Sequence, residues 1–462
     1  MAELELGWIA ERTQGAVVRG DPRLRVRSFS TDSRTIQPED LFFAVVAARD
    51  GHDFVAAAAE RGARGAVVSR PVEGLPEGFA LIRVDDTARA LQALAAAVLR
   101  LRLRWIVGIT GSVGKTTTKE FTAGLLGLRH SVLKSEGNYN NRLGLALSLL
   151  RLESRHSAVV LEMGMSAPGE IRELISIAPP DLAVITNVNP VHLESLRTID
   201  AVADAKWEII EGLKSHGAAI LNGDDAALRR RLRGWNGRAI LFGLGQDCDV
   251  AARRLDRRGY EGFEFDLCAD GRAVRTRLAF LTEAYLSDAL AAAAVALAIK
   301  IPLDDIASAI GTLRPAPHRG GWKRLGQNVV LIDDSYNSNP KALDEALRGL
   351  AGLPAARRVA VLGEMLELGP EETRFHAEAG QTAAETGWNA LVAVGPRARS
   401  LADAARAAGL PAASVAVFET SEDAAAAVAD LVRPGDLVLV KGSRGAKTEI
   451  VVDAIERLYK ES

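Results

Sequence analysis

Cysteine is nearly absent from this chain: Cys248 and Cys268 are the only two among 462 residues. They form no Cys-x-x-Cys pair and no ligand cluster. That argues against a disulfide scaffold or a thiolate metal centre and fits two ordinary thiols in a reducing compartment. Excess charge is missing as well. Lys+Arg 57 against Asp+Glu 59 leaves no net field to draw nucleic acid or an anionic membrane to the molecule. Any anion site must therefore be built from specific side chains and backbone N–H groups. Long hydrophobic runs are lacking too. The longest, Ala-rich around Ala289–Ile299, is too short to span a bilayer. The start, MAELELGWIAER, is acidic and amphipathic and lacks the basic opening and apolar core of a signal peptide. These absences predict a cytoplasmic protein with no membrane insertion and no nucleic-acid partner. Neither a repeat of solenoid period nor a low-complexity tail is visible.

What is present is 48% apolar and 25% charged residues, the balance of a globular protein too long for one ordinary core. Three regions separate by pattern. Residues 1–103 carry short strand-like runs (LFFAVV at 41–46, GAVVS at 65–69, ALIRV at 80–84) and an Ala-rich helix near Thr87–Leu101, a small α/β domain. Residues 104–314 alternate apolar runs (105–110, 157–163, 182–188, 217–222) with helical patterns, predicting a P-loop-type, mostly parallel sheet covered on both faces. Between Cys248 and Phe280 the pattern shortens into alternating segments with glycine turns, an antiparallel flap on the same domain. After the Pro- and Gly-marked stretch 313–321, residues 315–462 alternate again (runs at 328–333, 358–363, 390–395, 414–418 and 436–442), predicting a Rossmann-like doubly wound C-terminal domain.

The chemistry begins at Thr110-Gly111-Ser112-Val113-Gly114-Lys115-Thr116-Thr117, between a predicted strand and a predicted helix. Glycines let the backbone N–H groups turn inward, and the helix start adds its positive dipole end. Lys115 would meet the β- and γ-phosphates, and the Thr116 hydroxyl would ligate Mg²⁺. Ile109 stands where the general pattern has its first glycine, with Gly108 one residue early. The motif signals a nucleoside triphosphate and says nothing of the acceptor.

Three further residues have competing readings. Glu162 ends the strand AVVLE beside the phosphate loop, where a carboxylate can reach Mg²⁺, and is equally an acid exposed as a strand stops. His192 follows another strand end, yet a lone histidine is more often structural. Lys206 lies in a helical stretch, where lysine is ordinarily a solvated charge, and an ammonium has no lone pair to offer a metal. In the last region, Asp333–Pro340, Gly363–Gly369 and Lys441–Gly445 all follow predicted strands, where open α/β sheets bind ligands.

Taken together, ThrGlySerValGlyLysThrThr, GlyAsnTyrAsnAsnArgLeuGly (137–144), GluMetGly (162–164), HisLeuGlu (192–194), AspAspSerTyrAsnSerAsnPro (333–340) and ValLysGlySerArg (440–444) occur in the order of the Mur ligases of the bacterial cell wall, and the chain resembles that family over essentially its whole length. ThrAspSerArg (31–34), LeuPhePheAla (41–44) and AspGlyHisAspPhe (50–54) resemble its UDP-binding domain. The resemblance implies a monomeric ATP-dependent ligase forming a C–N bond, with UDP-N-acetylmuramoyl-tripeptide and D-Ala-D-Ala as its partners. Residues 1–103 would hold the UDP substrate, 104–314 ATP, and 315–462 the amine while closing over both. Lys115, His192, Lys206 and Asn337 would be catalytic. Gly111, Ser112, Val113, Gly114, Lys115, Thr116, Thr117, Asn187, Arg319 and Asp334 would contact ATP. Ser33, Arg34, Asn138, Asn140, Asn141, Asn339, Lys441, Ser443 and Arg444 would contact the substrates. Thr116, Glu162, His192 and Lys206 would serve Mg²⁺, Lys206 after carbamylation by CO₂. The chain departs from the family pattern twice. AlaTyrLeuSerAspAla (284–289) replaces a His-Asn-x-x-Asn element, and SerLeuArg (195–197) stands where a glycine is usual. A related ligase with another amine, a nucleotide-binding scaffold without chemistry, and a P-loop transport or signalling ATPase are the competing readings.

Overall fold

The computed structural model describes residues 3–101, 104–190 and 193–460 and has three main sheets, in the chain order expected. The first has five strands in the order Ala16–Arg19, Ala80–Arg83, Gly65–Val68, Asp40–Phe43 and Ser28–Ser30. All its pairings are parallel except that of Ala16–Arg19. The helix Thr87–Arg100 starts where the Asp86 carboxylate accepts from the backbone N–H groups of Ala88 and Arg89, a side-chain N-cap. Its apolar face (Leu91, Leu94, Ala95, Val98) is buried, and it packs against the helix Arg142–Leu149 of the next region.

The second sheet has nine strands, and its middle explains the site. Trp105–Thr110 lies between Leu182–Ile185 and Ala158–Glu162, all parallel, so the loops after these strands emerge on one edge. Two antiparallel pairings at the far side, among Val250–Arg257, Phe263–Ala269 and Arg272–Leu278, form the expected flap as an extension of the same sheet. Helix Glu283–Ala298 packs on Lys115–Leu126. Its residues from Ala291 to Ala296 are fully buried, which is why the segment shows no amphipathic stripe.

The third sheet runs Gly321–Arg324, Val330–Asp334, Asp436–Lys441, Arg357–Gly363, Ala390–Val394, Val415–Phe418, parallel but for its first strand. Sequence reading missed that edge strand, together with Val132–Lys134 and Arg238–Gly243. All three are short or only half-buried, so their apolar pattern is weak.

Among the described residues, the flap contributes contacts that join the second and third regions besides the connecting chain. At the flap tip, the Tyr260 hydroxyl donates to the Pro354 carbonyl at 2.7 Å and its ring lies 5.4 Å from that of Trp322. Arg257 donates to the carbonyls of Leu281 and Gly349. Among the described residues no helix is long and apolar enough to cross a membrane.

Candidate active-site cleft

A cleft of about 960 Å³ lies between the phosphate-loop edge of the second sheet and the strand ends of the third. Its floor is the loop predicted from sequence. Gly111 has φ +152° and a Cβ there would sit 1.8 Å from Thr186 Oγ1, so no side chain fits. Gly114 has φ +86° and would drive a Cβ to 2.2 Å from Asp288 Oδ1. The following strand loop grips the turn. Asn187 receives the Val113 N–H on Oδ1 (2.9 Å) and donates from Nδ2 to the Val113 carbonyl (3.1 Å), while the Ser112 N–H goes to the Asn187 carbonyl (3.1 Å). The amides of Ser112 and Val113 are thus spent on holding the loop. The inward donors are those at the start of Lys115–Leu126, whose first turn has no intrahelical acceptors.

Lys115 Nζ donates to the carbonyls of Gly111 (2.8 Å) and Ser112 (3.3 Å). Burial pushes its pKa down, nearby Glu162 opposes that, and Arg319 adds to it. Glu162 is 3% exposed at its strand end. Its Oε2 accepts from the Thr116 hydroxyl at 2.8 Å and its Oε1 from Asn140 Nδ2 at 2.9 Å, while its own N–H donates to Ser135 Oγ at 3.0 Å. A carboxylate and a hydroxyl sharing one point beside a phosphate loop form a hard-oxygen donor pair, which suits Mg²⁺ that keeps water and phosphate as its other ligands. Among the described residues, no three His, Cys, Asp or Glu gather into a metal cluster.

Lys206 lies on helix Ile199–Glu211, 2% exposed, with no hydrogen bond or ion pair recorded among the described residues. Burial, and secondarily the charge of Lys115, hold its pKa well below the ordinary lysine value. The solvated lysine of the plain sequence reading is therefore not what the fold contains. It does not itself line the cleft. His192 lies outside the described residues.

From the connecting chain, Arg319 donates to Thr116 Oγ1 at 3.3 Å, and its guanidinium lies 3.9 Å from the ring centre of Tyr336. Its Nε is buried without a partner among the described residues, a donor left over for a ligand. On the far wall, Lys441 Nζ donates to Asp334 Oδ2 at 2.6 Å and to the Asn337 carbonyl at 3.0 Å. Ser443 Oγ donates to the Ser338 carbonyl (3.2 Å) and accepts the Leu366 N–H (3.0 Å). Arg444 reaches the cleft and pairs with Glu449 at 2.8 Å.

The sequence-chosen residues thus fall into three groups. Ser112–Thr117, Asn138, Asn140, Asn141, Glu162, Arg319, Asp334, Asn337, Asn339, Lys441, Ser443 and Arg444 line one cleft. Gly111, Asn187 and Lys206 stand behind that lining. Ser33 and Arg34 lie elsewhere, after strand Ser28–Ser30, where Arg34 grips Asp32 and lowers that carboxyl to about 2. Within the cleft, Asn141 and Asn339 use their Oδ1 atoms as N-caps of Arg142–Leu149 and Pro340–Ala351, and their amide NH₂ groups make no hydrogen bond among the described residues.

Sequence reasoning missed Tyr285, Asp288, Ser338 and Glu345, all of which line the cleft. Asp288 accepts from the Thr118 hydroxyl at 3.0 Å. Burial pushes its pKa well above the carboxylate range, and Glu345 adds to this. Burial also raises the Tyr285 phenol, with Asp334 and Asp288 contributing. The signal for both was the departure at Ala284–Ala289. Ser338 Oγ is buried without a partner among the described residues, and nothing in its motif marked it out.

Comparison with known proteins bears on the family. The Mur ligase middle domain model matches residues 109–296, and the Mur ligase glutamate ligase domain model matches 318–444. The chain is 34% identical over 452 residues to the UDP-N-acetylmuramoyl-tripeptide--D-alanyl-D-alanine ligase of Bacillus subtilis (strain 168), covering 97% of each chain. It is similar to the solved structure of the UDP-N-acetylmuramoylalanyl-D-glutamyl-2,6-diaminopimelate--D-alanyl-D-alanyl ligase from Acinetobacter baumannii (TM-score 0.87, 29% identity, 99% of each chain). A third likeness is the MurF ligase of Thermotoga maritima in complex with ADP (TM-score 0.81, 29% identity, 94% of this chain and 97% of that one).

Proposed function

Because this chain belongs to the Mur ligase family, we propose that it joins D-Ala-D-Ala to a UDP-N-acetylmuramoyl-tripeptide, using ATP and passing through an acyl phosphate. The observation that carries this reading is the meeting of Lys115, Thr116, Glu162 and Asn140 on one wall with Asp334, Asn337 and Lys441 on the other, across a single cleft. Residues 1–103 hold the UDP substrate, 104–314 the nucleotide, and 315–462 the amine.

The tripeptide carboxylate is a poor electrophile, because direct attack would have to expel oxide. One of its oxygens takes the γ-phosphoryl group of ATP and ADP leaves. The amine nitrogen of D-Ala-D-Ala then attacks the acyl carbon, the tetrahedral adduct expels phosphate, and the nitrogen gives up its proton. Bringing carboxylate and triphosphate together is opposed by charge. Lys115, Arg319 and the first-turn amides of Lys115–Leu126 offset that repulsion. Glu162 and Thr116 would hold Mg²⁺, which supplies further neutralisation and an anchor for phosphate oxygens. Asn140 and Asn141 orient the carboxylate, and Asn337, Asn339 and Ser443 the incoming dipeptide. Such positioning can contribute effective molarities on the order of 10⁵ M or more. The first-region pair Ser33 and Arg34 remains assigned to the UDP end of the substrate, away from the chemistry. His192 and Lys206 are assigned to a second ion, with Lys206 carbamylated. CO₂ adds only to a neutral amine, and burial next to Lys115 favours that form.

A coupled assay with UDP-muramoyl tripeptide, D-Ala-D-Ala, ATP and Mg²⁺ tests the reading. Release of ADP and phosphate that requires both acceptors, with pentapeptide as product, supports it. Nucleotide binding without product for any amine would make the chain a scaffold. Intact-protein mass spectrometry of active enzyme showing unmodified Lys206 would remove the carbamate.

A further inference from the structure

The carboxylate to be activated belongs to the third residue of the tripeptide, so the side chain of that residue must lie within a few bonds of Asn140 and Glu162. The cleft wall there is short. After Asn140 come Asn141 and Arg142, and after Glu162 come Gly164, Met165, Ser166, Glu170 and Glu173. This wall faces the first region, because helix Arg142–Leu149 packs against Thr87–Arg100. A peptide running from the UDP-binding region to the phosphate loop therefore passes over it. Three charged side chains line the passage. Glu170 is already committed, accepting the N–H groups of Ser166 (2.6 Å) and Ala167 (3.3 Å). Among the described residues, the side chains of Arg142 and Glu173 are held only by each other, with Nη1 to Oε2 at 3.4 Å and side chains 58% and 54% exposed. A pair that open to solvent is loosely bound, so each member is available to a ligand.

On the reading given above, we propose that Arg142 and Glu173 select a third residue whose side chain ends in both a carboxylate and an ammonium, the chemistry of 2,6-diaminopimelate, over one ending in a lone ammonium, as lysine does. The zwitterionic end places its carboxylate on Arg142 and its ammonium on Glu173, replacing one weak ion pair by two. A lone ammonium meets Glu173 but is repelled by Arg142, and leaves the guanidinium without a new partner. The planar guanidinium fork also suits a carboxylate bidentately.

The full-length enzyme is assayed for ligation of D-Ala-D-Ala to the two tripeptides, ending in diaminopimelate or lysine. The wild type is expected to favour diaminopimelate by about tenfold in kcat/KM, carried by KM. Arg142→Ala brings the ratio between the two peptides toward one, and Arg142→Lys restores part of it. A role confined to helix stability would lower both peptides together and leave their ratio unmoved. Equal use of both peptides by the wild type, or an unchanged ratio in Arg142→Ala, overturns this inference while leaving the ligase reading intact. Failure to ligate either peptide overturns both.

Discussion

The two walls of the cleft each bury lysine, under opposite conditions. On the phosphate-loop wall, Lys115 donates only to neutral carbonyls, and Lys206 has no recorded partner among the described residues. The acid whose charge acts on Lys115, Glu162, has its oxygens engaged by Thr116 and Asn140. Burial depresses the pKa of both lysines. On the opposite wall Lys441, 3% exposed, is locked onto Asp334 at 2.6 Å and a carbonyl at 3.0 Å. The first wall leaves Lys115 and Lys206 without an ion-pair partner among the described residues, a costly arrangement that makes sense where anions must converge. The second is internally neutral, a frame that fixes Asn337 and Asp334 in place. One wall is built to change its electrostatic state on binding, the other to keep it.

The sharpest way to break this contrast is Lys115→Ala. Removing a cation that forms no ion pair in the resting cleft should lower turnover by about 100-fold or more, ~2.7 kcal/mol in the barrier, with the melting temperature little changed. Lys441→Met should behave in the reverse sense. It strands Asp334 beside an apolar side chain and should cost about 2 kcal/mol of stability, seen as a lower urea midpoint. The double variant with Asp334→Asn should recover part of that loss. If Lys115→Ala unfolds the protein as readily as Lys441→Met does, the division between the walls fails.

Lys206→Met probes the same contrast through pH, in bicarbonate-free buffer. The folded-state pKa of Lys206 lies well below its unfolded value near 10.5. Between the two values the unfolded chain binds the extra proton, so wild-type stability should rise with pH across that window. Methionine removes the penalty. The variant should therefore melt higher than wild type at neutral pH, by about 2 °C or more, with the gap closing as pH approaches 10.5. Its ligase activity should be lost at every pH. A variant that melts lower at pH 7 would show that Lys206 is paired and charged after all.

How much of this was legible beforehand depends on whether the signal is local. The phosphate loop was, because Gly111 and Gly114 occupy conformations and spaces that admit no side chain, and their strand and helix flank them directly. The three sheets were legible through their buried parallel strands, which read as continuous apolar runs. Lys206 misled, since a buried lysine and a solvated one look alike in a helical stretch, and only tertiary packing distinguishes them. Asn141 and Asn339 were chosen as substrate contacts, but each also caps a helix, and short amide side chains serve both ends equally well. Arg257 and Tyr260 were invisible. They act across the gap between two sheets, on carbonyls of residues 349 and 354 that nothing in the sequence pairs with the flap.

That flap tip offers the gentlest test of the comparison, because it joins the two walls without touching either chemistry. Tyr260→Phe keeps the ring against Trp322 and removes one hydroxyl donor to the Pro354 carbonyl. The bond is exposed, so its net worth is about 0.5–1 kcal/mol, and the third region remains tethered by Arg257. If the neutral wall is a rigid frame that must be carried up to the charged one, weakening its tether should raise the KM for the dipeptide about two- to threefold, the same free energy expressed in closure. The KM for ATP, set chiefly by the phosphate loop, should move far less. An equal rise in both constants would mean that the flap acts on the whole cleft, and that the two walls are one unit rather than two.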